Sequence, residues 1–151
     1  MTIMEQLTLV IPAKKEKESL PYVLEELKKF KCKIIVVLEE NDIETINATN
    51  GYNCKIIYQK SKGYGSALIE GIKEVNTKFF SIFNADGSFN PDELIQMYNT
   101  VVNENVNFVF ASRYEKDCSS EDDTLITLIG NFLFTKLGKI LFGLKLTDIL
   151  Y

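Results

Sequence analysis

Short apolar runs rich in β-branched and aromatic residues alternate with longer stretches of helical periodicity, and this alternation restricts the fold more than any other feature. The runs Leu7 to Ala13 (LTLVIPA), Cys32 to Leu38 (CKIIVVL), Cys54 to Gln59 (CKIIYQ), Lys78 to Phe83 (KFFSIF) and Asn107 to Ser112 (NFVFAS) read as strands. They are continuously apolar, the pattern of strands covered on both faces. Between them, ESLPYVLEELKKF, DIETINATN, YGSALIEGIKEVN and NPDELIQMYNTVVNEN read as helices. In the first of these Leu20, Val23, Leu24 and Leu27 recur at helical spacing, so that one face can lie on a sheet. Strand and helix in this order imply right-handed crossovers and a mostly parallel, doubly wound α/β sheet. Ligands of such sheets bind beyond the carboxyl ends of the strands. Four loops therefore share one rim: Pro12 to Glu18, Glu39 to Asp42, Ser61 to Gly65 and Asn84 to Ser88.

A chain of 151 residues suits one domain, spanning 1–151, with a substantial core. Its net charge of -4 argues against a nucleic-acid partner, whose footprint would be basic. Cys32, Cys54 and Cys118 show neither zinc-ligand spacing nor a disulfide framework, and a reducing, cytoplasmic location is expected. The N-terminus lacks a signal-peptide pattern. The longest apolar candidate, 125–146, is interrupted by Lys136, Lys139 and Lys145. The chain contains no histidine, so imidazole bases, His-dependent triads and His-ligated zinc are excluded. Catalysis would have to use carboxylates, Lys, Arg, backbone amides, a bound metal or the charge of the substrate.

Two rim loops carry candidate chemistry. In KFFSIFNADGSFNPDEL, Asn84 and Asp86 leave the end of an apolar run two residues apart. Asn, Asp and Gly are ordinary turn residues. Equally, groups at i and i+2 leaving a strand point to one side and can reach one cation. In KSKGYGSAL, two glycines and two lysines precede a helix, so backbone amides and a helix N-terminus can face an anion. The stretch is neither a dinucleotide fingerprint nor a P-loop.

Taken in order, VIPAKKEKESL, IIVVLEENDIET, KGYGSALIEGI, FNADGSFNPDEL, ASRY and GNFLFTKLGKILFGLKLTD resemble the inverting glycosyltransferases of family 2, over about Leu7 to Leu150. The dolichol-phosphate-mannose-synthase-like and polyprenyl-phosphate members are the most similar. The resemblance implies a GT-A fold, a nucleoside-diphospho-sugar donor and Mg or Mn. It places Pro12, Ala13 and Glu16 in the first donor loop, Glu39 and Glu40 at the Asp pair that holds base and ribose, and Lys62 and Gly63 beside the donor. Asn84 and Asp86 stand at the two ends of the metal motif. Arg113 is implied near phosphate, and Thr147 with Asp148 begins an acceptor-side segment. Asp86, Arg113 and Asp148 are thus the catalytic candidates. The implied acceptor is a polyprenyl phosphate or a glycan, in cell-envelope or glycan biosynthesis. Such a lipid acceptor is already anionic and can attack without a general base, which suits a chain without histidine.

The sequence departs from the family at several donor positions. Lys14 and Lys15 stand where Tyr-Asn is common, Glu39-Glu40-Asn41 replaces Asp-Asp-Gly, and Asn84 replaces the first metal Asp, which lowers the expected metal affinity. These departures keep open an impaired sugar-nucleotide-binding module acting as a partner or regulatory subunit. A nucleotidyltransferase ranks lower, because IPAKKEKES lacks the glycine-rich loop expected after the first strand. Residues 125–146 read either as an amphipathic helix at the cytoplasmic face of a membrane or as a helix covering a core.

Overall fold

The computed structural model describes residues 2–112, 124–144 and 146–147. The chain divides into two compact units, Met1–Val102 and Asn103–Tyr151. The first contains β1 (Thr2–Pro12), α1 (Ser19–Leu27), β2 (Phe30–Leu38), α2 (Ile43–Ala48), β3 (Lys55–Tyr58), α3 (Tyr64–Lys73), β4 (Phe79–Ile82) and all but the last residue of α4 (Glu93–Asn103). Helix α5 (Leu125–Phe142) belongs to the second.

Among the described residues the sheet has four strands in the order β3-β2-β1-β4, and every neighbouring pair is parallel. The register brings the carboxyl ends to one edge: Pro12 lies opposite Val37, Leu38 opposite Tyr58, and Val10 opposite Ile82. Three bonds continue the ladder past the strand ends, from the N–H groups of Ala13, Gln59 and Phe83 to the carbonyls of Val37, Leu38 and Val10. The four loops that leave this edge are those the alternating pattern places on the rim.

The period of two along each strand divides the core into layers. Leu7, Leu9 and Ile11 of β1, with Val36 and Leu38 of β2, join the buried stripe Leu20, Val23, Leu24 and Leu27 of α1. Val10, Ile35 and Val37 instead pack with Ala67 of α3. The two central strands are thus covered on both faces, which is why they read as unbroken apolar runs. The edge strands β3 and β4 are shorter and no residue in either is fully buried.

Helix α3 approaches the sheet closely through Gly71. A Cβ built there would stand 2.5 Å from Val10 Cγ1 and 2.8 Å from Val37 Cγ2. Below α3, Thr8 is buried in the strand and its hydroxyl meets that of Thr77 at 2.6 Å, so the polar side chain is satisfied.

The strand expected at Asn107 to Ser112 is not formed: these residues pair with no strand among the described residues. Phe108 and Phe110 are exposed and stack on each other at 6.0 Å, an intra-segment contact that replaces the cross-strand packing a sheet would provide. Helix α5 starts at Thr124, whose hydroxyl accepts from Thr127 N–H while Thr127 Oγ1 accepts from Thr124 N–H, and it ends at Gly143 with φ +67°. Ile126, Ile129, Phe132, Leu133, Ile140 and Phe142 are all exposed along it. Among the described residues no helix is long and apolar enough to cross a membrane.

Candidate functional site

All four rim loops of the first unit contribute to one cleft of about 460 Å³. Pro12, Ala13, Lys14 and Glu16 line it from the loop after β1, Glu39 from the loop after β2, and Asn84, Ala85 and Asp86 from the loop after β4. Gln59, Gly63, Tyr64 and Ala67 form the wall between β3 and α3.

The loop after β1 is stitched residue by residue to the loop after β2 and the start of α2. Lys14 Nζ meets Glu39 Oε1 at 2.7 Å, Lys15 N–H donates to Asp42 Oδ2 at 2.6 Å, and Glu16 N–H donates to Thr45 Oγ1 at 3.1 Å. Lys17 Nζ completes the series with Glu44 at 2.9 Å. Lys15 has φ +60°, a left-handed conformation that costs a non-glycine residue energy. Asp42 offsets that cost and also caps α2 by accepting from Thr45 N–H.

A second carboxylate holds the loop after β3. Both Glu70 oxygens accept from Lys60 N–H at 3.0 Å, and Oε1 also accepts from Ser61 N–H at 3.3 Å and Ser66 Oγ at 3.1 Å. Gln59 Nε2 donates to Ser61 O across the same bend. Gly63 then precedes α3 with φ +106°, a conformation that favours glycine.

Asn84 and Asp86 sit on a tight turn. Ser88 N–H donates to Asp86 Oδ1 at 2.9 Å, Asn84 Nδ2 donates to Ser88 Oγ at 3.1 Å, and Gly87 takes φ +80°. The turn and the site are therefore compatible: one atom of each side chain closes the loop, while Asn84 Oδ1 and Asp86 Oδ2 have no protein partner among the described residues. Two oxygens suit a Mg or Mn ion that draws its remaining ligands from phosphate and water. Among the described residues no group of three or more His, Cys, Asp and Glu gathers into a full protein cage.

The structure thus brings Pro12, Ala13, Glu16, Glu39, Gly63, Asn84 and Asp86 together on the cleft wall. Glu40 and Lys62 are exposed on the same loops but are not among the lining residues. Arg113 and Asp148 lie outside the described residues. Thr147 is described within the second unit, where its hydroxyl meets Ser112 Oγ at 2.7 Å. Lys14, Gln59, Tyr64 and Ala67 are lining residues that motif reasoning did not select. Gln59 directly follows β3, and Tyr64 and Ala67 lie in the first turn of α3, so position after a strand was their only signal in the sequence.

Both loop-holding carboxylates are held below their ordinary values. Burial pushes Asp42 up, but the hydrogen bonds from Lys15 and Thr45 outweigh it. For Glu70 the Lys60 N–H is the largest cause, helped by Ser61 and Ser66 against some burial. A depressed folded pKa gives stability that is complete above the unfolded value and lost as pH falls through the folded one. The melting temperature is therefore expected to fall as pH is lowered through and below the unfolded carboxylate value of about 4, and Asp42→Asn to flatten part of that fall. Asn remains a good helix cap but has no second oxygen to accept from Lys15 N–H, so scanning calorimetry of the variant across that pH range separates the carboxylate's hold on the loop from its capping role.

A parallel α/β sheet with a cleft beyond the carboxyl ends of its strands is the Rossmann-like arrangement, in which ligands bind at that rim. The sequence profile of glycosyl transferase family 2 matches residues 8–149, and the chain belongs to that family, with its GT-A type of fold. It is 27% identical over 96 residues to a UDP-N-acetylglucosamine--dolichyl-phosphate N-acetylglucosaminyltransferase of Methanococcus voltae, covering 62% of this chain and 38% of that protein. It is 26% identical over 149 residues to an uncharacterised protein of Methanocaldococcus jannaschii, covering 95% of this chain and 61% of that one. An uncharacterised glycosyltransferase of Mycobacterium bovis is 29% identical over 91 residues, 60% of this chain and 41% of its own length. The chain thus spans less than two thirds of each of these relatives.

Proposed function

We propose that the cleft is the donor site of an inverting sugar transfer from a nucleoside diphosphate to an acceptor, with a polyprenyl phosphate preferred. The carrying observation is the convergence of Glu39, Gly63, Asn84 and Asp86 from separate loops on one rim cleft. Membership of family 2 and the likeness to a transferase named for a dolichyl phosphate support this reading.

In this reading Asn84 and Asp86 hold a Mg or Mn ion, which when bound neutralises charge on the leaving diphosphate. The loop after β1, fixed through Asp42 and Thr45, presents Pro12, Ala13 and Glu16 to the donor without rearranging. Gly63, having no side chain, lets the diphosphate approach the backbone at the start of α3. Lys62 lies next to it in sequence and adds positive charge at that loop. Arg113 and Asp148 serve the phosphate and the acceptor. The acceptor phosphate supplies its own negative charge, so no base need be provided by a chain without histidine. Exposed apolar side chains on α5, with Lys136 and Lys139 among them, suit contact with the surface of a membrane that carries the lipid acceptor.

Calorimetric titration with UDP, GDP, CDP and dTDP, each with and without Mn, tests the donor site. Binding of one nucleotide, strengthened by Mn, is the expected result. Absence of binding by all four would overturn the donor reading. A second reading, an impaired sugar-nucleotide-binding subunit, is favoured by the neutral Asn84 at a position where the family places an acid.

A further inference from the structure

We propose that Glu70 is a positioning residue for the donor cleft: from its place on α3 it fixes the backbone of the Lys60–Gly63 loop and so sets the wall formed by Gln59, Gly63 and Tyr64. The inference rests on the donor reading of that cleft. Glu70 does not line the cleft. It reaches the loop across a separation of 10 residues from Lys60.

The loop has no regular hydrogen bonding of its own. Past Gln59, whose N–H still pairs with Leu38 O, the chain leaves the sheet, and the first helical bond of α3 is Ala67 N–H to Gly63 O. Between these two points the N–H groups of Lys60 and Ser61 are satisfied by the Glu70 carboxylate. An ionised carboxylate accepting several N–H groups makes stronger bonds than neutral acceptors do. Ser66, one turn before Glu70 on α3, donates to the same oxygen and restricts the rotamer. Loop, helix start and carboxylate therefore form one closed unit, with Gly63 at its apex. A small displacement of a binding loop is enough to weaken a ligand by an order of magnitude or more.

A merely structural role would be that of Glu74, just past the end of α3, whose carboxylate pairs among the described residues with the side chain of Lys55 at 2.6 Å. Glu74→Ala is thus the matched control. The full chain and its Glu70→Ala, Glu70→Gln and Glu74→Ala variants are titrated with whichever of UDP, GDP, CDP or dTDP the wild type binds, and melting is followed alongside. Glu70→Ala is expected to weaken nucleotide binding about tenfold with its fold intact, and amide exchange at Lys60 and Ser61 to lose protection. Glu70→Gln, which keeps one carbonyl acceptor, is expected to fall between it and wild type, and Glu74→Ala to bind as wild type does. Equal nucleotide affinity in wild type and Glu70→Ala overturns the positioning role, as does an equal loss in Glu74→Ala. If the wild type binds none of the four nucleotides, the donor reading itself fails and takes the role with it, an outcome distinct from either.

Discussion

Gly71→Ala is expected to lower stability by about 2 kcal/mol, with a fall of about 6 °C in melting temperature. The new Cβ would lie 2.5 Å from Val10 Cγ1 and 2.8 Å from Val37 Cγ2, both on stiff, β-branched side chains in central strands. Relieving that contact means shifting α3 or the sheet, an overpacking cost of about 3 kcal/mol, against a gain of about 1 kcal/mol from the better helix propensity of alanine. Chemical denaturation of Gly71→Ala, Val10→Ala and the double variant measures the cause directly. If the clash is responsible, the double variant is more stable than the sum of the single losses requires; strict additivity would show that the close approach is not what Gly71 provides. Because α3 also carries Tyr64, Ala67 and Glu70 and starts directly after Gly63, a shift of the helix would be felt in the cleft as well.

Asp86→Ala is expected to reduce sugar transfer by about a hundredfold or more, and to remove the Mn dependence of nucleotide binding. The substitution deletes the oxygen left free by the turn and also the Oδ1 that accepts from Ser88 N–H. Asp86→Asn separates these effects, since an amide can still close the turn but offers no negative charge. Release of nucleoside diphosphate from a sugar donor, assayed with the base selected by titration, is the readout. Activity equal to wild type in both variants would take Asp86 out of the reaction. The companion substitution Asn84→Asp distinguishes the two functional readings: an enzyme adapted to Asn84 keeps or loses turnover, whereas a decayed one gains it.

The fold was legible where burial alone decides structure. Strands β1 and β2 are covered on both faces, so their apolar runs mark their carboxyl ends to within one residue, although β1 begins at Thr2, five residues before its run, and the Leu20, Val23, Leu24 and Leu27 stripe marks α1. The run at 107–112 has the same composition, yet its phenylalanines stack within the segment, because composition does not specify a pairing partner. At the cleft, short-range motifs identified Asn84, Asp86 and Gly63. The bonds that shape the loops escaped notice because they join distant residues or use backbone atoms. Lys14 and Glu39 are 25 residues apart, and Glu70 and Asp42 act on N–H groups whose positions side-chain identity does not reveal.

The central place of β1 also bears on how the chain is made. Both edges of β1 are paired, one with β2 and the other with β4, and Leu7 finds its partner only at Phe79. At a synthesis rate of about 5–20 residues per second, roughly 4 to 14 s pass between emergence of β1 and arrival of β4. During that interval the apolar β1 and β2 can pair while their outer edge stays open to other nascent chains. Chaperone dependence and the yield of folded protein should therefore respond to the speed of translation through the codons between β1 and β4, and substitutions in β4 should affect yield more than their modest burial suggests.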